Sequence, residues 1–266
     1  MIAAIAAAGL VLLAVMAGAW LTQKITNNVG WVDVFWTFGV GAVGVGLAMA
    51  PLGGGSPARH MLVAALAALW SLRLGLYVAR RVARSSEDRR YVDLRALWGD
   101  RFQPTLFGFV LLQAPVGLIL ALCISLASHH PSRILRFEDV LGALILLIAI
   151  GGEALADEQM RRFKTDPASH GRICDQGLWA WSRHPNYFFE WFGWLAYPVI
   201  AWPGSSVYGW GWAAWIAPVL MYLVLDRGTG VPPLEAHLAK SRGQAFEDYK
   251  ARTSRFFLVP PRKHPS

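Results

Sequence analysis

Residues 181–191, WSRHPNYFFEW, set an arginine, a histidine, an asparagine and a glutamate where an apolar run begins. Such side chains suit a polar, anionic ligand. Pro185 fits the first turn of a helix, where its missing N–H costs nothing. The unpaired N–H groups and dipole of that helix attract anions, and Arg183 and His184 at its entrance complete a phosphate seat. Asn186 and Glu190, one turn apart, share a helical face. A second set lies upstream. Glu153, Asp157, Arg161 and Lys164 recur at spacings of four, four and three, so they also form one stripe. The stripe reads either as a ladder of ion pairs leaving a membrane, or as a rail with carboxylates for ribose hydroxyls and cations for phosphates. Spacing alone favours the ladder.

The elements that must position these groups are membrane spans. Only 16% of residues are charged, 55% are hydrophobic and the mean hydropathy is +0.38, whereas soluble domains are roughly 25% charged. A spanning helix needs about 20 apolar residues. Seven segments qualify: 2–21, 31–51, 60–79, 104–127, 137–157, 185–203 and 208–226. The first carries Ala17-Gly18-Ala19, an imitation of a signal-peptide cleavage site. It lacks a positive n-region and its apolar stretch is too long, so it counts as a helix. The expected fold is all-α, an integral membrane bundle of about seven transmembrane helices in one domain over 1–266. Between the second and third spans LGGGSP reads as a turn, and a short amphipathic helix is expected near Glu235–Thr253 in the polar tail.

Charge fixes the orientation. With the N-terminus outside, 21 of the 25 Lys and Arg residues fall on inside segments; Arg59, Arg133 and Arg136 fall outside and Arg73 within a span. The positive-inside rule then gives an N-out, cytosolic C-terminus topology, as expected of a multi-pass protein of a bacterial inner membrane. The net charge of +8 is thus topological rather than a mark of nucleic-acid binding, with a surplus for anionic lipid or a phosphorylated ligand. Cys123 and Cys174 form no disulfide framework and have no partners at metal-ligand spacing, so no metal is expected. Trp179, Trp181, Trp191, Trp194 and Trp202 read as an interfacial belt.

Ionisable groups within spans are expensive and mark function. Asp33, Arg73, Glu153, Asp157, Asn186, Glu190 and Asp226 all fall on the inner half under this topology, which implies a site open to the cytosol. In the loop SSEDRRYVDLR (85–95) the arginines could meet phosphates and Tyr91 could donate a hydrogen bond; a solvated, salt-bridged loop is the simpler reading.

The segments VDVFWTFG, WSLRLGLYVARR, EDRRY, RHPNYFFEW and GVPPLEAHLAKSRGQAFEDYKARTSRF resemble the steroid 5-alpha-reductase family, and its bacterial multi-pass branch in particular. The stretch from about residue 150 onward resembles the family's C-terminal domain. The resemblance implies a seven-helix reductase. It would take hydride from NADPH bound from the cytosol and deliver it to a carbon–carbon double bond conjugated to a carbonyl in a lipid-soluble substrate. It also implies that Asp157, Arg161, Lys164, Arg172 (followed by Gly177), Asn186 and Glu190 bind the cofactor, beside Glu153, Arg183 and His184 from the residue reading. It tips the upstream stripe toward the rail, and the family's tail tyrosine fits Tyr249 of the FEDY segment, which is read here as a packing residue. The substrate half departs from the family. Its Gln-Glu pair and tyrosine are absent; Val32-Asp33 and Trp70 stand in their places. Asp33, Arg73 and Tyr91 are left as candidates to polarise the carbonyl or supply a proton. The expected partners are a lipid-soluble small molecule and membrane lipids. Two rivals stand beside this reading. One is a methyltransferase of the isoprenylcysteine type using S-adenosylmethionine, which shares an RHP segment but gives the basic rail no phosphate to meet. The other is a non-catalytic lipid- or sterol-binding relative.

Overall fold

The computed structural model describes residues 1–84, 95, 98–204 and 208–261. Among them the only non-helical pairing is a parallel bridge between Ser182 and Ser254. The α-helices are α1 (Ile2–Thr26), α2 (Trp31–Met49), α3 (Pro57–Arg84), α4 (Phe102–Leu111), α5 (Gln113–Ser128) and α6 (Phe137–Thr165). They continue as α7 (Leu178–Trp181), α8 (Pro185–Trp194), α9 (Ala196–Ile200), α10 (Ile216–Tyr222), α11 (Val231–Arg242) and α12 (Gln244–Arg252). Among the described residues six helical stretches are long and apolar enough to cross a bilayer: Ile2–Thr26, Trp31–Met49, Pro57–Arg84, Gly99–Ser128, Phe137–Thr165 and Gly209–Arg242. The chain is thus an all-helical protein of the multi-pass membrane type.

The stretch expected to span at 185–203 is instead divided at Leu195 into α8 and α9. Pro198 cannot donate the N–H that the carbonyl of Trp194 would accept, which interrupts the helix. Pro115 does the same to the carbonyl of Leu111 at the α4–α5 junction. The amphipathic tail helix is likewise two, α11 and α12, split at Gly243 with φ +50°.

The chain divides into two compact units, Met1–Ala143 with Tyr197–Ala217, and Leu144–Ala196 with Pro218–Ser266. In the first, α2 packs against α1, α3 and α5. Its GVGAVGVG stretch permits this. A Cβ on Gly39 would lie 2.9 Å from Val15 of α1, one on Gly41 2.1 Å from Ser71 of α3, and one on Gly44 2.7 Å from Ile124 of α5. Small residues let neighbouring helices approach, the usual device where lipid supplies no hydrophobic drive.

One end of this unit is closed by polar clasps. Arg59, wholly buried, donates from Nε and a terminal nitrogen to Asp139 at 2.8 and 2.7 Å, and to the carbonyls of His130, Ser132 and Ile134 at 3.1, 2.6 and 2.8 Å. Every N–H of a buried guanidinium needs such a partner. The α2–α3 loop lies alongside, with Gly54 and Gly55 at φ +77° and +73°. Any side chain there would collide with the carbonyls of His129 and Ser128 at 2.4 and 2.5 Å. His60 and His129 tie the loop down, meeting the carbonyls of Ala48 at 2.8 Å and Ala50 at 2.9 Å.

In the second unit α8 lies close on α6, since a Cβ on Gly152 would be 2.3 Å from Phe189. The C-terminal segment after α12 runs back across the entrance of α8. The Arg183 N–H donates to the Ser254 carbonyl at 2.8 Å, the Ser182 hydroxyl to the Phe256 carbonyl at 2.8 Å, and the Val259 N–H to the Trp181 carbonyl at 3.2 Å. Phe256 and Phe257 then join Phe188, Trp191 and Tyr222 in a set of mostly edge-to-face contacts.

Candidate functional site

The polar end of α6 carries the richest chemistry. Glu153 and Asp157 are buried, each 5% exposed. Arg161 does not extend a rail beside Asp157. It grips Glu158 with two nitrogens, at 2.6 and 2.8 Å, and Arg162 adds its Nε to the same carboxylate at 2.6 Å. The sequence reading passed over both Glu158 and Arg162. On a helix a long arginine can fold toward i−3 or i−4, and spacing alone does not choose between them. Lys164 is exposed.

Beyond α6 the chain turns back and leaves a hollow of about 430 Å³, lined by Gln159, Arg162, Phe163, Asp166, Ser169, Arg172, Cys174, Gln176 and Gly177. That volume falls in the range of roughly 300–1,000 Å³ typical of ligand sites. The lining is held by local bonds. Asp166 accepts from the Ala168 N–H at 3.0 Å and the Ser169 hydroxyl at 2.9 Å, and Gln159 accepts from the Leu178 N–H at 3.0 Å. Gly177, at φ +58°, lets the backbone pass so near Gln159 that a Cβ would sit 2.7 Å from its amide. Arg162 gives only Nε to Glu158, so its two terminal amino groups make no hydrogen bond with a described residue, and neither does the exposed side chain of Arg172. Burial pushes the Cys174 thiol up from its ordinary pKa, so it adds no negative charge. Two arginines with spare donors on one concave surface form an arrangement for a phosphate oxyanion.

At the start of α8 the arrangement differs from a naked phosphate seat. Arg183 donates from Nε to Glu235 of α11 at 2.8 Å and from a terminal nitrogen to the Thr253 carbonyl at 2.7 Å. His184 meets the same Glu235 oxygen at 3.2 Å and stacks on Tyr187 with ring centroids 5.7 Å apart. Burial holds the His184 pKa below its ordinary value, with Glu235 pulling the other way. The Arg183 charge is therefore spent on Glu235, and the pair orders the α8 entrance. Glu235 has a single weak sequence signal, a lone acid behind the Pro232-Pro233 helix start, because its partner is 52 residues away. Glu190, buried, accepts from the Trp194 indole at 2.9 Å; Asn186 is half-buried. Asp226, also buried, is flanked by Arg227 at 2.9 Å and Arg255 at 3.2 Å in a π-helical turn, Leu223–Arg227.

The cofactor candidates thus all belong to the second unit, with Arg172 alone of them lining the hollow. Asp33 and Arg73 belong to the first unit, Asp33 in the first turn of α2 and Arg73 over the Tyr77 ring at 5.4 Å. Tyr91 lies outside the described residues. Among the described residues no group of three or more His, Cys, Asp or Glu side chains could hold a metal ion.

Comparison with known proteins places the chain in a family. Residues 19–253 match the family described as "Protein of unknown function (DUF1295)", and the chain belongs to it. It is also similar to the uncharacterized protein C594.04c of the fission yeast Schizosaccharomyces pombe, at 25% identity over 90% of this chain and 75% of the relative. No solved structure matches significantly.

Proposed function

We propose that this protein is a membrane reductase using NADPH to saturate the conjugated carbon–carbon double bond of a lipid-soluble enone. In this reading its N-terminus lies outside and its C-terminus in the cytosol. The observation that supports it is the hollow beside α6, where Arg162 and Arg172 keep unpaired donors next to the Asp166 carboxylate and the side chains of Gln159 and Gln176. These groups fit the phosphate-bearing part of a dinucleotide: guanidinium forks for phosphate oxygens, carboxylate and amides for sugar hydroxyls. The cofactor supplies the hydride; the protein binds, orients and excludes water. Within this reading Arg162 takes the phosphate role first given to Arg161. Arg183 and His184 act through Glu235 as positioning residues, and Asp33, Arg73 and Tyr91 are the candidates for handling the enone carbonyl.

The test is ligand-dependent protection in mild detergent. NADPH is expected to raise the unfolding temperature more than NADH or S-adenosylmethionine does, and Arg172→Gln to weaken NADPH binding about tenfold, the worth of one charge-assisted bond. Nucleotide oxidation is then followed with a panel of lipid enones. Preferential protection by S-adenosylmethionine replaces the reductase with a methyltransferase. Binding of NADPH without turnover of any enone leaves a lipid-binding relative.

A further inference from the structure

We infer that the hollow beside α6 also seats the phosphodiester headgroup of an anionic membrane phospholipid, which holds the dinucleotide off while it is bound. The competition rests on the reading above; the lipid seat itself stands on separate observations. Along α6 the exposed positions Leu144, Ile148, Gly151, Leu155 and Arg162, with the half-buried Glu158 between the last two, follow at intervals of four, three, four, three and four. That interval is one face of an α-helix. Leu144, Ile148 and Leu155 are 51%, 59% and 52% exposed, as expected of side chains in acyl chains. The same face then changes character within one turn, and Arg162 is the charged residue on it that lines the hollow.

Depth points the same way. If hydrocarbon ends at Glu158, the first charged position on this face, Arg162 stands about 6 Å further out at 1.5 Å per residue. A headgroup layer is roughly 5–7 Å thick on each side of the bilayer. Arg162 therefore reaches the level at which lipid phosphates lie, on the side that meets lipid. Charge selects the headgroup. Glu158, held by both Arg161 and Arg162, and Asp166 supply two negative charges against the three of Arg161, Arg162 and Arg172. The net single positive charge matches a monoanionic phosphodiester with an uncharged headgroup. The ammonium of a zwitterionic lipid would meet the arginines unfavourably.

The experiment uses the full chain in nanodiscs of phosphatidylcholine alone and of phosphatidylcholine mixed with phosphatidylglycerol. Lipid retention is read by native mass spectrometry and NADPH binding by fluorescence. The wild type is expected to retain phosphatidylglycerol. The double substitution Arg162→Gln and Arg172→Gln should lose at least tenfold in retention, and the double substitution Lys240→Gln and Arg242→Gln, which removes the same charge outside the lining of the hollow, should lose none. In the mixed discs NADPH should bind several-fold more weakly than in phosphatidylcholine, and the double variant should abolish that difference. Equal retention by wild type and double variant overturns the lipid seat. So does protection by inorganic phosphate in phosphatidylcholine discs with no effect of phosphatidylglycerol, because the site would then serve soluble phosphate. Absence of NADPH binding in every disc refutes the reductase reading instead, while retention still decides the lipid seat.

Discussion

Replacing Asp139 with alanine should be among the most damaging single changes in the first unit. Arg59 is fully buried and gives two of its five hydrogen bonds to that carboxylate, with the ion pair at 2.7 Å and both side chains inaccessible. Asp139 also accepts from the Arg136 N–H at 2.6 Å, so a backbone group loses its partner as well. Removing one member of a buried pair strands the other charge, at a cost of about 3–5 kcal/mol, or roughly two to three and a half orders of magnitude in the unfolding constant. Three carbonyls remain around Arg59, so the loss should fall toward the lower figure. Cys123 and Cys174 are both buried. In a Cys174→Ser background, labelling of Cys123 by a thiol-reactive fluorophore during denaturant titration therefore reports the first unit alone. The control is Glu138→Ala in the same unit, which breaks a long, partly exposed ion pair to Arg136 of 3.9 Å and should cost about 0–1 kcal/mol. If Asp139→Ala costs no more than the control, burial is not what gives the Arg59 pair its weight.

Other outcomes follow from the same geometry. His130 accepts the Ser132 N–H on Nδ1 at 3.2 Å, which needs a neutral ring, and burial followed by Arg136 and Arg59 lowers its pKa from 6.5 to about 4. The unfolded chain binds the proton first, so stability from this group is complete above pH 6.5 and lost as pH falls toward 4. His130→Gln should flatten that limb of a stability–pH curve. Gly54→Ala and Gly55→Ala should each cost about 1–3 kcal/mol, from positive φ and from the clash with the α5 carbonyls. The same change at Gly46, with nothing within 4 Å, should not destabilise. Glu235→Ala should cost about 2–3 kcal/mol by stranding Arg183 and expose the α8 entrance to proteolysis; unaltered proteolysis would show that Thr253 alone holds it.

Much of the fold was legible in the sequence, because a run of apolar residues long enough for a bilayer leaves the chain few other states. The breaks were less so. Pro198 and Pro115 ended helices inside runs that hydropathy reads as continuous. The site was legible as a region but not as partners. Spacing put Glu153, Asp157, Arg161 and Lys164 on one face, and two of them are buried while the arginine turns to Glu158. The pairs Arg59–Asp139 and Arg183–Glu235 join residues 80 and 52 apart. Local periodicity carries no information about such contacts, and folding of the whole unit decides them.

The strand-like stretch crossing the start of α8 has a consequence for biosynthesis. Arg183 waits for the carbonyl of Thr253, 70 residues later in the chain, which at about 5–20 residues per second is roughly 4–14 s of translation. Until that segment has been made, the Arg183 backbone N–H lacks the Ser254 carbonyl to which it donates. The RHPN corner of the second unit therefore closes only after Thr253 and Ser254 have been synthesised, and a nascent chain stalled before them would reach the membrane with the start of α8 unfinished.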